Sequence, residues 1–412
     1  MTMLTLYNSL GKKMEVFRPV NPGVVTVFTC GPSVYQRSHI GNFRTFLFED
    51  ILVRYLEYLG WPVERGMTVT DIEDKAIREA GRKGITLERL TRENIEGFLR
   101  EMRLLCIRMP DHLPRASEHV EQAAAMIGQL LAQGVAYRHG RNVYFDPLKF
   151  PGFGKIYGLD MGRWPAQRRR FHRDTYAGNR WNLGDFILWH GFREGDPVSW
   201  DTPIGRGRPA WNIQDPSMVG SRFEETLSVY CGGIDNLYRH HDYSLAVLES
   251  LRPYPMARCW LHGGHLLVGG RKMSKSLGNV LYTDDLLDRG YSPADVRFFL
   301  ISGHYREKLS YSEGNMKRAA AARLHLRERA RMIAAKAGGT VPGASVPARR
   351  IGDSFRRHMD RDLDVKGAIG AITGELAASD AAGWKPASAA AVVKALREID
   401  AVLKVLFEDS SG

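Results

Sequence analysis

The chain has 412 residues, a formal net charge of +12 and a pI of about 9.5, with 44% hydrophobic and 10% aromatic residues. That length suits two or three domains with a substantial core, and the composition is that of an ordinary globular protein. No run of 18 apolar residues is present to span a membrane, the opening Met1-Thr2-Met3-Leu4-Thr5 is no secretory leader, and Cys30, Cys106, Cys231 and Cys259 form no C-x-x-C pair, which predicts a cytoplasmic protein and excludes a disulfide scaffold. The charge favours polyanionic partners such as RNA or nucleotides, whereas the short cluster Arg168-Arg169-Arg170 with Arg173 reads as a solvated face.

Residues 24–30 are β-branched and almost continuously apolar, as a buried strand requires. Gly31-Pro32 breaks that strand, and His39 to Gly60 carries Phe43, Phe46, Leu47, Ile51, Leu52, Tyr55 and Leu56 at helical spacing. Val63 to Val69 reads as the next strand, so the chain starts as βαβ with a parallel sheet. Helices are predicted over Thr91–Leu105 and Ser117–Gln133. Residues 136–210 change character, with short strand-like pieces such as Asn142-Val143-Tyr144-Phe145 among Gly, Pro and Trp; they read as an inserted subdomain. Leu227–Cys231 and Trp260–Val268 return to the sheet. From Ser292 onward the pattern is helical, with an Ala/Arg-rich stretch at 318–337, a Gly/Pro/Ala linker at 338–348 and two or three final helices.

Two short motifs carry the chemistry. His39-Ile40-Gly41-Asn42 opens a helix directly after a strand and loop, where helix N–H groups favour phosphate. Lys272-Met273-Ser274-Lys275-Ser276 would lay two lysines over the same phosphates. Attack of a carboxylate on an α-phosphate builds charge on phosphoryl oxygens, and placed cations and N–H donors stabilise it. Either motif alone is weak; both, in this order and setting, are specific.

With these motifs the chain resembles the class I aminoacyl-tRNA synthetases, and within them the cysteinyl-tRNA synthetases. Further matches are Cys30-Gly31-Pro32-Ser33-Val34-Tyr35, Val69-Thr70-Asp71-Ile72-Glu73-Asp74-Lys75, Ser199-Trp200-Asp201, Gly207-Arg208-Pro209-Ala210-Trp211, Gly232-Gly233-Ile234-Asp235 with His240-His241, and Tyr311-Ser312-Glu313. The resemblance implies an α/β fold: a Rossmann-like class I catalytic domain in two halves (1–135 and 211–268), a connective insert (136–210), a lysine-loop and stem-contact region (269–315) and a helical bundle (316–412), with no anticodon-reading domain after it. It also implies ATP, Mg²⁺ and an amino acid as ligands. His39, Asn42, Lys272 and Lys275 would act on the phosphates. Gly41, Gly232, Gly233 and Asp235 would line the nucleotide site. Cys30, Thr70, Trp211, Asp215, His240 and Ser244 would form the amino-acid pocket.

The pattern departs from the family at a zinc ion that the family holds with two cysteines, a histidine and a glutamate to bind the substrate thiolate. Here Cys30 and His240 stand at the first cysteine and the histidine, but Asp215 replaces the second cysteine and Ser244 the glutamate. Those changes imply a sharp loss of zinc affinity; a retained site would use Cys30, Asp215 and His240, with Cys231 as a further thiol nearby. A pocket without zinc, carrying Asp215, predicts a substrate bearing a hydrogen-bond donor or positive charge. The shorter length and altered pocket together predict an adenylate-forming ligase that passes its product to a small amine or carrier, most simply a monomer. The two other readings are a divergent cysteine–tRNA ligase and a non-catalytic RNA-binding paralogue, against which the intact phosphate contacts speak.

Overall fold

The computed structural model describes residues 3–161, 171–173, 180–182, 185–273, 277–378 and 383–407. Lys275 and most of the 168–173 arginine cluster lie outside the described residues. The chain opens with a hairpin, β1 (Thr5–Asn8) and β2 (Lys13–Val16), followed by β3 (Val25–Thr29), α1 (Ile40–Tyr58), β4 (Val63–Met67), α2 (Asp74–Lys83), α3 (Leu87–Leu104) and α4 (Val120–Ala132). The next part holds β5 (Ala136–His139), β6 (Asn142–Phe145), β7 (Phe171–Arg173), β8 (Arg180–Asn182), β9 (Phe186–Gly191) and β10 (Gly207–Pro209). Then come α5 (Trp211–Gly220), β11 (Leu227–Gly233), α6 (Asp242–Leu251), β12 (Ala257–Gly263), β13 (Leu266–Val268) and β14 (Arg271–Lys272). The last part is α7 (Thr283–Leu287), α8 (Pro293–Ile301), β15 (Leu309–Tyr311), α9 (Glu313–Ala337), α10 (Val346–Met359), α11 (Val365–Ala378) and α12 (Pro386–Leu403).

The central sheet is parallel, in the order β12-β11-β3-β4. Its two middle strands are buried on both faces, which is why they read as apolar runs and not as alternation. From β3 the chain crosses through α1 to β4 on one side; from β11 it continues to β12 on the other. The strand order therefore reverses between β3 and β11, and the crevice at their carboxyl ends is where such sheets bind ligands. α1 is buried almost all round, and Arg44, Glu49 and Asp50 go into the interior with it, each with partners.

A second, antiparallel sheet, β10-β9-β6-β5, is formed by the region that reads as an insert. The stacked rings of Phe145, Phe186 and Tyr243 dock it on α6. Helices α9–α12 pack together at the far end. The turn between α10 and α11 is sewn to the N-terminal hairpin: Asp362 accepts from Tyr7 N (2.8 Å), Tyr305 Oη (2.7 Å) and Arg306 Nε (2.6 Å). Asp362 and Leu363 both adopt left-handed backbone there. Among the described residues no helix is long and apolar enough to cross a membrane.

Several elements differ from expectation for identifiable reasons. The hairpin of β1 and β2 was not predicted, since only β1 alternates in burial and β2 is largely exposed. α2 buries only Ala76 and Ala80, so it has almost no apolar period to read. α3 begins four residues before the predicted Thr91 because Thr86 caps it, its hydroxyl accepting from Arg89 N. The segment predicted as one strand over Trp260–Val268 is two strands in different sheets, β12 and β13. Between them a Cβ at Gly264 would lie 2.5 Å from the Glu307 carbonyl oxygen, so only glycine permits that crossing. The helical run after Ser292 is interrupted by β15, which pairs with β13.

Candidate active site

His39 is the N-cap of α1. Its Nδ1 accepts from Asn42 N (3.3 Å), and the Asn42 side-chain oxygen accepts from His39 N (3.0 Å). This reciprocal box fixes the α1 terminus. Because Nδ1 is the acceptor, the imidazole proton sits on Nε2 and remains available as a donor. Burial lowers the His39 pKa, so the ring is neutral at physiological pH. Gly41 is bare where a Cβ would lie 2.5 Å from Met273 Cε, so the helix start and the lysine loop touch at that point.

The carboxyl end of β11 supplies the opposite wall. Gly232 and Gly233 leave room for His241 and Asp235, whose side chains a Cβ would meet at 2.7 Å in each case. Lys272 Nζ donates to Asp235 Oδ2 at 2.6 Å. Burial pushes the Asp235 carboxyl up, but the Lys272 ammonium outweighs it and the group stays below the usual carboxylate range. His39, Gly41, Asn42, Gly233, Asp235 and Lys272 line one cleft of about 670 Å³, together with Cys30.

Gly31 is the tightest point of the site. A Cβ there would sit 1.7 Å from the Thr68 carbonyl oxygen and 2.8 Å from Met67 Cγ. The Thr68 carbonyl is backbone and cannot swing aside as a side chain would. Gly31→Ala should lower stability by about 1–3 kcal/mol, as overpacking does, and the check is its urea midpoint against wild type. An unchanged midpoint would show that the loop relaxes freely.

Cys30, Thr70, Trp211, Asp215 and His240 line an adjoining cavity of about 500 Å³ that shares Cys30 and Asp235 with the first. Trp211 stacks on His240, with ring centroids 4.9 Å apart and planes at 20°. Asp215 is buried, and its Oδ2 accepts from Cys30 Sγ (3.3 Å), Tyr230 Oη (3.1 Å) and His240 Nε2 (2.9 Å). Asp215 Oδ2 thus finds three partners within the chain, where the sequence reading expected a donor or cation from the substrate. Ser244 is buried on α6, lines neither cavity, and its Oγ has no hydrogen-bond partner among the described residues.

The metal-ligating side chains gather differently from the sequence expectation. Ligand atoms of Cys30, His240 and His241 lie within 4.8 Å of one another. Asp215 Oδ2 contacts two of these residues, Cys30 and His240, while His241, which the sequence reading did not include, is the third. Its signal in the sequence is the doublet His240-His241. Cys231 is not part of the group: it follows Tyr230 on β11, so it faces the α1 core on the other side of the sheet. One soft sulfur and two imidazole nitrogens fit zinc or a similar ion.

An ATP-sized cleft at a strand-order reversal, with a helix N-terminus, a donor imidazole and a lysine facing it, defines a nucleotide-binding α/β site. The family model for the class I (C) tRNA synthetase catalytic domain matches residues 16–321. A cysteine–tRNA ligase of Chlamydia trachomatis is 35% identical over 98% of this chain and 88% of its own length. That of Chlamydia muridarum is 39% identical over 79% and 68%. The Mycobacterium tuberculosis methionyl-tRNA synthetase in complex with methionyl-adenylate shares the fold at a TM-score of 0.68 and 17% identity, covering 92% of both chains. The chain therefore belongs to the class I tRNA synthetase (C) family, and it is a ligase.

Proposed function

We propose that the protein activates cysteine as its adenylate and transfers it to tRNA, in a cytoplasmic setting. The observation that carries this reading is the single continuous site in which the phosphate-facing residues His39, Asn42 and Lys272 adjoin Cys30, Trp211 and His240. Likeness to cysteine–tRNA ligases over 98% of the chain supports the acceptor. The same reading keeps the proposed domain plan with divisions at 136, 211, 269 and 316.

In the first step the amino-acid carboxylate, already ionised, attacks the α-phosphorus in line. The α–β bridging P–O bond breaks, and pyrophosphate leaves with that electron pair. Nε2–H of His39 and the Gly41 N–H at the start of α1 donate to phosphoryl oxygens as charge develops. Lys272 exchanges Asp235 for the pyrophosphate side, and Lys275 is proposed as its companion. Gly41 lets the helix backbone approach the phosphates. Asp235, with Gly232 and Gly233, is proposed to face the adenosine. Among the described residues the carboxylates lining the cleft are Glu79, ion-paired with Arg82 and Lys83, and Asp235, ion-paired with Lys272, so Mg²⁺ would arrive with ligands from the nucleotide. A zinc-class ion on Cys30, His240 and His241 would supply a Lewis-acid contact to a thiolate. In the second step a ribose hydroxyl attacks the carbonyl and AMP leaves.

A second reading, transfer to a small amine, draws on the acid groups of the adjoining cavity, where Glu73 Oε1 is buried without a hydrogen-bond partner among the described residues and Asp74 pairs with Arg208. Both readings meet one experiment. Pyrophosphate exchange, screened over the standard amino acids, should run with cysteine alone, and the isolated adenylate should be consumed by tRNA. Exchange with another amino acid would sink the substrate assignment. Consumption by small amines but not tRNA would favour the second reading.

A further inference from the structure

We propose that Asp242 and Tyr157 are positioning residues for amino-acid activation: together they hold a strained turn at Tyr238 and Arg239, and so fix where Arg239 and His240 stand in the amino-acid cavity. This rests on the reading above that the cavity lined by Thr70, Trp211 and His240 takes the amino acid.

Tyr238, Arg239 and His240 lie between β11 and α6, and all three line the cavity. The backbone does not run smoothly through them. Tyr238 is extended (φ −98°, ψ 148°) and Arg239 is left-handed (φ 68°, ψ −9°) before the chain enters α6. A residue with a long side chain rarely takes that left-handed conformation, and it persists only where the surroundings over-determine it. A turn of this kind sets the direction of every side chain after it, so both of its ends have to be held. On one side Trp211 stacks on His240 inside the cavity. The other side is held by Asp242 and Tyr157, which line neither cavity.

Asp242, the first residue of α6, is fully buried, and both of its oxygens are used on the loop that follows β6. Oδ1 accepts from Ile156 N (2.9 Å) and Oδ2 from Tyr157 N (3.0 Å). The Tyr157 ring then lies against Tyr238, with centroids 4.9 Å apart and planes at 33°. The loop is itself pinned on other sides. Lys12 Nζ, from the turn of the N-terminal hairpin, donates to the Tyr157 carbonyl oxygen (2.8 Å). Lys155 pairs with Glu249 on α6, and Phe153 stacks on Tyr243 with centroids 5.7 Å apart and planes at 26°. Tyr157 remains 51% exposed, so its ring adds little to any core, and its contact with Tyr238 is what the loop delivers. The hairpin, the insert and α6 therefore meet within two residues of His240 on either side, at the one turn whose backbone needs outside support.

The test compares Tyr157→Ala, Tyr157→Phe and Asp242→Asn in the full chain. In Asp242→Asn the side-chain NH₂ must face a backbone N–H, because both oxygens are in use. Hydrogen–deuterium exchange of the free protein should quicken over 237–244 in Tyr157→Ala and Asp242→Asn, and keep the wild-type rate in Tyr157→Phe, which retains the ring. In amino-acid-dependent pyrophosphate exchange, Tyr157→Ala should raise the amino-acid KM by roughly 2–10-fold, the range of one lost aromatic pair. The KM for ATP should stay put, Tyr157→Phe should match wild type, and Asp242→Asn should move the amino-acid KM further. Residues that only stabilise the fold would lower the urea midpoint and the amount of active enzyme without separating the two KM values. Unchanged hydrogen exchange over 237–244 in Tyr157→Ala, or an unmoved amino-acid KM in that variant, would overturn the proposal; Tyr157→Ala decides alone if Asp242→Asn does not fold. Absence of amino-acid-dependent exchange in the wild type would instead sink the reading of the cavity, and the hydrogen-exchange comparison would then decide by itself whether the loop holds the turn.

Discussion

Replacing His39 by Asn should slow amino-acid-dependent pyrophosphate exchange by about 10²–10³-fold, the loss typical of one preorganised donor to a developing oxyanion, while leaving stability nearly unchanged. His39 has two separable jobs. Its Nδ1 caps α1 by accepting from Asn42 N, and its Nε2–H faces the cleft. An asparagine oxygen can take over the cap but cannot reach with the second donor. His39→Ala removes both: exchange should fall equally far, and stability by a further 0.5–2 kcal/mol or about 1 kcal/mol typically. The loss should appear in kcat and in kcat/KM for ATP together, since the donor acts on charge that exists only in the transition state. If His39→Asn exchanges at the wild-type rate, the imidazole serves the helix alone and the phosphate role passes elsewhere on the α1 terminus.

This separation was partly readable in the sequence. His39 and Asn42, the two ends of one four-residue motif, announce both a phosphate site and a helix start, and the parallel strands β3 and β11 announce themselves by unbroken apolar runs. What single residues could not convey is which neighbours share a partner. Asp215 is remote in sequence from Cys30 and His240, and only folding reveals that its Oδ2 holds both. His241 was hidden because a histidine doublet gives no sign of which ring faces which way. The link from His241 through His262 to Ser9 joins β12 and the N-terminal hairpin, elements whose contact follows from tertiary packing alone. The same holds for α2 (Asp74–Lys83), a polar helix that buries only Ala76 and Ala80 and packs beside α3.

The same dependence on distant partners sets the largest expected effect on stability. Asp50→Ala should destabilise the protein by about 3–5 kcal/mol, the cost of leaving a buried partner charge uncompensated. Asp50 on α1 is fully buried. It accepts from Arg297 Nη2 (2.6 Å), from Arg54 Nε (2.9 Å) and from Arg108 N (2.7 Å). Arg297 on α8 is equally buried and also donates to the carbonyls of Leu105 (2.8 Å), Cys106 (3.1 Å) and Leu403 (2.6 Å). One guanidinium thus ties α1, the end of α3 and the end of α12 together, so the catalytic sheet and the helical bundle share this joint. Burial alone would raise the Asp50 pKa, but Arg297 and Arg54 outweigh it and hold the carboxyl below its ordinary value. A folded pKa below the unfolded one, about 3.9, gives stability that is complete above that unfolded value and is lost as pH falls through the folded one. Wild type should therefore lose stability below about pH 4, and Asp50→Asn should show a shallower acid loss from a lower starting point. Arg297→Met should cost a similar amount, and the double variant no more than the worse single, because both remove one network. Additive losses in urea midpoints would show that Asp50 and Arg297 stabilise the joint independently, and that the sheet and bundle are held by something other than this pair.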